Sequence, residues 1–261
     1  MPHIAGLRGV LPIAPPVKEG VATAAGADVV KDLAAGSRVR DPGRSVYRYH
    51  QLFAEPGSGR TLVRKMIVCA VRLEPWTEGL IRPHELTDPD RKAAALAALR
   101  ATKVSPAAVL AGYRDPAGEA ERLFRRVDSE RPTLEVTTAD HTVHKLWRVH
   151  SAELFGQLRH LFAPKKLTVL EGHDRYEAML AYRDELATGA SLTMYSSANY
   201  GLMCLTNLDD PALRVAPPLT LEQVNHTVEL GATLPAGSTV FVPLLAAGLV
   251  SAVIDPDEDL A

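Results

Sequence analysis

From Ser45 the chain alternates apolar and polar positions with a period of two. In SVYRYHQLFA, Tyr47, Tyr49, Gln51 and Phe53 share one face; Val46, Arg48, His50 and Leu52 share the other. In RTLVRKMIVCAVRL, Val63, Ile67, Cys69 and Val71 oppose Arg64, Met66 and Arg72. Successive side chains of a strand point to opposite faces, so each run predicts a strand. The turn cluster EPGSG between them predicts a β-hairpin. TLEVTTADHTVHKLWRV repeats the pattern and predicts a second hairpin, turning near Ala139–Asp140.

Between and after these runs the period lengthens. TDPDRKAAALAALRAT predicts a helix with Asp88 as N-cap and Pro89 at the first helical position. DPAGEAERLFRRV repeats that device with Asp115 and Pro116. SAELFGQLRHLF predicts a helix capped by Ser151, with Leu154, Phe155, Leu158, Leu161 and Phe162 as its apolar stripe. TVLEGHDRYEAMLAYRDELA reads as a buried strand, then Gly-His-Asp-Arg, then an amphipathic helix. GLMCLTNLDD is a strand ending in two acids, and TLEQVNHTVELG carries a capping box, Thr220 with Gln223, and a closing Gly231. STVFVPLL and GLVSAVI predict short strands.

The ends are less patterned. Residues 1–44 are rich in Ala, Gly and Pro, with one weak helical patch at Gly20–Ala35, and read as a loosely structured arm. The last seven residues, DPDEDLA, read as a frayed acidic tail. The expected organisation is therefore an arm (1–44), a single mixed α/β domain (45–254) and a tail (255–261). Strands arranged as hairpins between helices predict an α+β arrangement rather than a doubly wound parallel sheet.

Bulk properties narrow the function classes. Among 261 residues, 46% are hydrophobic and 23% charged, which is ordinary for a globular protein. A formal net charge of -2 argues against nucleic-acid binding through a global basic field. No apolar run reaches the length of a membrane span. The N-terminal stretch MPHIAGLRGVLPIAPPV is broken by prolines and makes a poor signal peptide. Cys69 and Cys204 both fall in apolar strand-like runs, which predicts reduced, buried thiols and a cytoplasmic protein.

The Gly-His-Asp-Arg turn is the main chemical candidate. A helix beginning near His173 presents unpaired N–H groups and a partial positive charge. Gly172 lets the backbone approach a ligand, and Arg175 adds a planar fork suited to phosphate oxygens. Together they describe an anion site. The alternative is a helix capped by Asp174, with Arg175 paired to a neighbouring acid. His173 can serve as a general base or phosphate donor, or can simply hold the turn. Glu171 can take a proton from an attacking hydroxyl, or can form a salt bridge to Arg175.

Several segments resemble one bacterial and archaeal family. They are YRYHQLF, RKMIVCAVRLEPWTEGLIRPHELT, LRATKVSPAAVLAGYRD, HKLWRV, EGHDRYEAMLAYRDE, LTNLDDPALRVAPP and GATLPAGSTVFVPLLAAGLV, in that order. The family is the domain-of-unknown-function group number one thousand and fifteen. Its turn usually reads Asp-Gly-His-His-Arg-Tyr and in turn resembles the Gly-x-x-Arg turn of the ParB and sulfiredoxin superfamily. There the turn opens a helix that holds nucleotide phosphates, and the superfamily includes free-serine kinases. The resemblance thus implies a ParB/sulfiredoxin-like α/β core with flanking helices. It implies a nucleotide or phosphorylated small molecule as ligand, and phosphoryl transfer to a small hydroxyl compound as the activity. This chain departs from the pattern with Glu171 for the usual Asp and Asp174 for the second His. Gly237 and Leu244 stand where the family has lysines, and the C-terminal part is shortened. Those departures leave a non-catalytic ligand-binding or regulatory module as the rival reading.

The resemblance also draws attention to RPHELT. His84 and Glu85 precede a helix, and Arg82 can face a phosphate; otherwise Glu85 or Thr87 caps the helix. Asp209 and Asp210 can hold Mg²⁺ with a nucleotide, although Asp-Asp-Pro is also a plain turn signal. His141 and His144, three apart in a strand, point to opposite faces and do not suggest zinc. The chain has no Gly-x-x-x-x-Gly-Lys loop, no Gly-x-Ser-x-Gly elbow and no His-Glu-x-x-His.

Overall fold

The computed structural model describes residues 2–12, 25–55, 58–138, 140–189, 191–216, 239–241, 250–255, 257–258 and 260. The Thr220/Gln223 capping box and Gly231 lie outside them, as do Gly237 and Leu244. In chain order the strands begin with β1 (Ile4–Ala5), β2 (Gly9–Pro12), β3 (Arg38–Arg40), β4 (Val46–Ala54) and β5 (Thr61–Arg72). They continue with β6 (Ile81–Pro83), β7 (Val104–Ser105), β8 (Val109–Tyr113), β9 (Leu134–Thr137) and β10 (Val143–Val149). The last are β11 (Leu167–Glu171), β12 (Tyr200–Asn207), β13 (Arg214–Ala216), β14 (Thr239–Phe241) and β15 (Ser251–Val253). The helices are α1 (Gly26–Ala34), α2 (Pro89–Thr102), α3 (Glu119–Asp128), α4 (Ala152–Phe162) and α5 (His173–Gly189).

Among the described residues, nine strands form one mixed sheet in the order β6-β11-β8-β12-β5-β4-β10-β9, with β1 also pairing β5. Both expected hairpins are present: β4 pairs β5 antiparallel from Tyr47↔Val68 to Ala54↔Thr61, and β9 pairs β10 across a turn containing Asp140. The central strands are covered on both faces. Ile67, Cys69, Val71, Met203 and Leu205 face Leu99, Phe124, Leu158, Phe162, Tyr176 and Met179 from the helices. Met66, Val68, Ala70, Leu202 and Cys204 face the other way, with Leu7, Leu11 and Val250. Alternation in β5 therefore divides two cores, and Arg64 and Met66 are both buried. The cysteines are free and buried in opposite cores.

The caps show how far local sequence decides the helices. Asp88 accepts from the backbone N–H groups of Asp90 and Arg91, with Pro89 at the first position of α2. Ser151 accepts from Leu154 N in α4. Asp88→Ala should therefore cost about 1 kcal/mol, measured by urea unfolding, with α2 retained in the folded protein. Helix α3 departs from expectation. It starts at Glu119, not at Pro116, because residues 116–118 form a turn that ends with Gly118 at φ 65°. Asp115 reaches over that turn to accept from Ala120 N at 2.8 Å.

The N-terminal arm also differs from the sequence reading. Its described residues form β1, β2, α1 and β3, and Ile4, Leu7, Val10 and Val29 are buried. β2 joins a second sheet in the order β3-β2-β15-β7, so that it pairs with a strand from the other end of the chain. The acidic tail is held likewise. Glu258 forms an ion pair with Arg40 at 2.5 Å, its carbonyl accepts from Ser197 N, and Leu260 N donates to Tyr195 O.

Candidate functional site

Strand β11 carries a bulge between Val169 and Glu171 and ends there, just before Gly172, where φ is +88°. Only glycine adopts that conformation at little cost. Helix α5 then starts at His173, and Tyr176 N donates back to Gly172 O at 2.9 Å. Parallel to β11, β6 pairs Pro83 with Val169 and stops there. Proline has no N–H to continue the ladder. The His84 ring takes over that edge: its Nδ1 donates to Val169 O at 2.7 Å. The parallel pairing thus delivers His84 and Glu85 to the same end of the sheet as Gly172 and His173.

These side chains meet. His84 N donates to His173 Nε2 at 3.2 Å, and His84 Nδ1 is 3.1 Å from the same atom. The two rings lie 4.6 Å apart, tilted by 55°. His173 Nδ1 is 3.1 Å from Glu85 Oε1, at ion-pair distance but without hydrogen-bond alignment. The hydrogen bonds assign tautomers. His173 accepts at Nε2, so its proton sits on Nδ1, facing the carboxylate. His84 donates from Nδ1, so in the neutral ring its lone pair is on Nε2, 3.9 Å from Glu85 Oε2. Burial pushes the His84 pKa down and the His173 ring adds to this, against the Val169 hydrogen bond and the Glu85 charge. His84 is thus neutral near neutral pH, with a free basic nitrogen.

This geometry corrects one assignment. With its side chain only 2% exposed and both nitrogens directed at neighbours, His173 is not placed to take a proton from a ligand. It aligns His84 and Glu85. Arg175 folds back over the turn: Nη2 lies 3.2 Å from Glu171 Oε1 and 3.4 Å from Ala108 O. A Cβ added at Gly172 would meet that guanidinium at 2.7 Å. Glu171 itself is exposed at the strand end.

Two other expectations are corrected. Arg82 is exposed and donates from Nε to Gly79 O at 3.1 Å, within its own turn. Asp209 and Asp210 lie at the wrong end of the sheet. Glu171 pairs with Leu110 near the start of β8, whereas Asp209 Oδ2 accepts from Asp115 N beyond its end. At ~3.3 Å per residue, about 15 Å of strand separates them. Both acids are engaged in the turn: Asp209 also pairs with Arg114 at 2.7 Å, and Asp210 accepts from Ala212 N at 2.8 Å. They cannot supply a metal to a phosphate at Gly172. Among the described residues no group of three His, Cys, Asp or Glu side chains is arranged to hold a metal ion.

Residues that drew no attention in the sequence hold the His84–Glu85 loop in place. Glu177, one turn after His173, accepts from Trp76 Nε1 (2.9 Å), Thr87 Oγ1 (2.8 Å) and Lys92 Nζ (2.7 Å). Tyr176 stacks on Trp76 at 4.3 Å and exchanges hydrogen bonds with both backbone groups of Glu74. The signal for them is the resemblance: Trp76 lies inside RKMIVCAVRLEPWTEGLIRPHELT, and Tyr176 and Glu177 inside EGHDRYEAMLAYRDE.

A family model described as "Protein of unknown function (DUF1015)" matches residues 11–218, the greater part of the chain. The chain belongs to that family. No curated protein matches, and no solved structure does. No helix among the described residues is long and apolar enough to cross a membrane.

Proposed function

We propose that the chain binds a nucleotide or another phosphorylated small molecule at the Gly172 turn, with His84 and Glu85 beside it. The observation that carries this is the convergence of His84, Glu85 and His173 next to a glycine turn that opens a long helix. Backbone N–H groups at the start of α5 and the Arg175 guanidinium would take the phosphate oxygens, once Arg175 exchanges Glu171 for the ligand. As an enzyme, the protein would transfer a phosphoryl group to a small hydroxyl compound. His84 Nε2 or the Glu171 carboxylate would accept the hydroxyl proton, and Glu85 would stabilise the imidazolium through its position beside both rings. A ParB/sulfiredoxin-like core and a cytoplasmic location belong to the same proposal. They are supported by the strand–glycine–helix turn and by two free thiols. Any metal accompanying the nucleotide would have to be held by groups other than Asp209 and Asp210.

The rival reading, a binding module without turnover, is favoured by one contact: the Glu171–Arg175 ion pair already neutralises the clamp. A thermal-shift screen with ATP, ADP, CTP and pyrophosphate tests binding. A ligand at a hundred times its dissociation constant adds about 2.7 kcal/mol, and turnover of the same ligand separates enzyme from binder. Arg175→Ala should weaken pyrophosphate binding by roughly ten- to a hundred-fold, for the loss of one charge-assisted pair. Melting temperature should change little. Unchanged affinity with a lowered melting temperature would leave the turn as architecture alone.

A further inference from the structure

Beside the Gly172 turn, between α2, β7 and α5, lies a cavity of about 80 Å³. Its wall is apolar: Ala95, Ala98, Leu99, Val104 and Met179 line it. Leu99, Val104 and Met179 are buried and form the floor; Ala98 is exposed and marks the mouth. The charged group in this lining is the Arg175 side chain. Its Nη2 turns towards Glu171 and Ala108, but its Nε is buried with no hydrogen-bond partner among the described residues. The floor also holds the Ser105 hydroxyl, whose contacts are long: 3.4 Å to Ala107 O and 3.9 Å to Met179 Sδ.

A buried donor without an acceptor costs free energy that a complementary ligand recovers. A dry apolar cavity of about 150 Å³ takes benzene, so about half that volume suits a tail of three or four carbon atoms. An anionic oxygen at one end and a short aliphatic chain at the other satisfy both features together. We propose that this cavity binds a small aliphatic carboxylate, its carboxylate on Arg175 Nε and its tail against Leu99, Val104 and Met179. The carboxylate would take the Nε–Nη2 side of the guanidinium, which also faces the Gly172 turn, so the site adjoins the phosphate position while its apolar half lies in the cavity. The inference shares Arg175 with the proposed function but does not depend on phosphate binding.

The test is calorimetric titration with sodium butanoate, 1-butanol and pyrophosphate against the wild-type chain, Ala98→Leu and Arg175→Gln. Leucine is a good helix former at an exposed position of α2, so Ala98→Leu closes the mouth while the helix remains. Butanoate should bind the wild type with one-to-one stoichiometry in the millimolar range, and 1-butanol should give no heat under the same conditions. Both substitutions should weaken butanoate by at least about tenfold, roughly 1.4 kcal/mol. Pyrophosphate binding should survive Ala98→Leu unchanged. Absence of butanoate binding, equal binding of 1-butanol, or full butanoate affinity in either variant overturns the proposal. Butanoate binding in a chain that ignores pyrophosphate would end the phosphate reading and leave this one standing.

Discussion

Arg48→Ala is expected to destabilise the fold by about 3–5 kcal/mol. The Arg48 side chain is fully buried on β4, over the Phe124 ring at 5.0 Å. Its Nη2 lies 2.5 Å from Glu121 Oε2, and its Nε lies 2.9 Å from Asp128 Oδ1, both on α3. Removing the cation leaves two part-buried carboxylates facing each other, with His50 and Lys65 as the remaining partners. The pH dependence should change with it. Burial pushes the Asp128 carboxyl up, but His50 and Arg48 outweigh that and hold it well below the usual carboxylate range. A carboxyl depressed in the folded state adds stability that is complete above its unfolded pKa, about 3.9. That stability is lost as pH falls towards the folded value. Urea unfolding at neutral pH and at about pH 3 should therefore show a smaller acid-dependent loss in Arg48→Ala than in the wild type. Equal stability of the two proteins at neutral pH would mean that α3 is not fastened to the sheet by this pair.

Gly172→Ala is expected to act on stability and ligand binding together. A side chain at φ +88° carries strain of about 1–3 kcal/mol, and the new methyl would sit 2.7 Å from Arg175 Nη2. The guanidinium is the end of a flexible side chain, so it would be displaced, losing its contacts to Glu171 and Ala108 O. The melting temperature should fall, and pyrophosphate affinity should fall by more than it does in Arg175→Ala. That order follows because the methyl blocks the backbone approach as well as moving the clamp. A variant with wild-type melting temperature and affinity would remove both the conformational and the steric argument for glycine here.

The elements that local chemistry dictates are legible in the sequence. Alternation alone identified β4 and β5, and single side chains at Asp88 and Ser151 marked the starts of α2 and α4. Where a local signal has two meanings, the structure departs from the expectation. Asp115-Pro116 looks like an N-cap and first turn, but Gly118 allows an extra turn before α3. Strands β1 and β2 are two and four residues long, too short for a period to show. They are strands because β5 pairs with β1, and β3 and β15 pair with β2. The meeting of His84 with His173 was legible through resemblance, not spacing, since the parallel β6–β11 pairing that causes it joins distant segments. Glu177 is simply a polar position on an amphipathic helix until Trp76, Thr87 and Lys92 are seen to converge on it. Asp209 and Asp210 had two readings, and the direction of β12 relative to β11 decides against the metal role. The cavity beside Arg175 had no sequence signal, because alanines and a valine are ordinary residues for both a filled interface and an unfilled one.

The placement of β12 beside β5 has a consequence for how the chain acquires its structure. Cys69 and Met203 face each other across this central pair although about 130 residues separate them in the chain. Closing so long a loop is slow relative to forming the β4–β5 hairpin, and its entropy must be spent before the two-sided core rewards it. During synthesis, β5 would therefore wait with one edge open until Tyr200–Asn207 emerges. Its apolar run from Met66 to Val71 is the segment most exposed to mispairing in that interval. Arg64 and Lys65, at the start of that run, supply the charge that discourages contact with a second nascent chain.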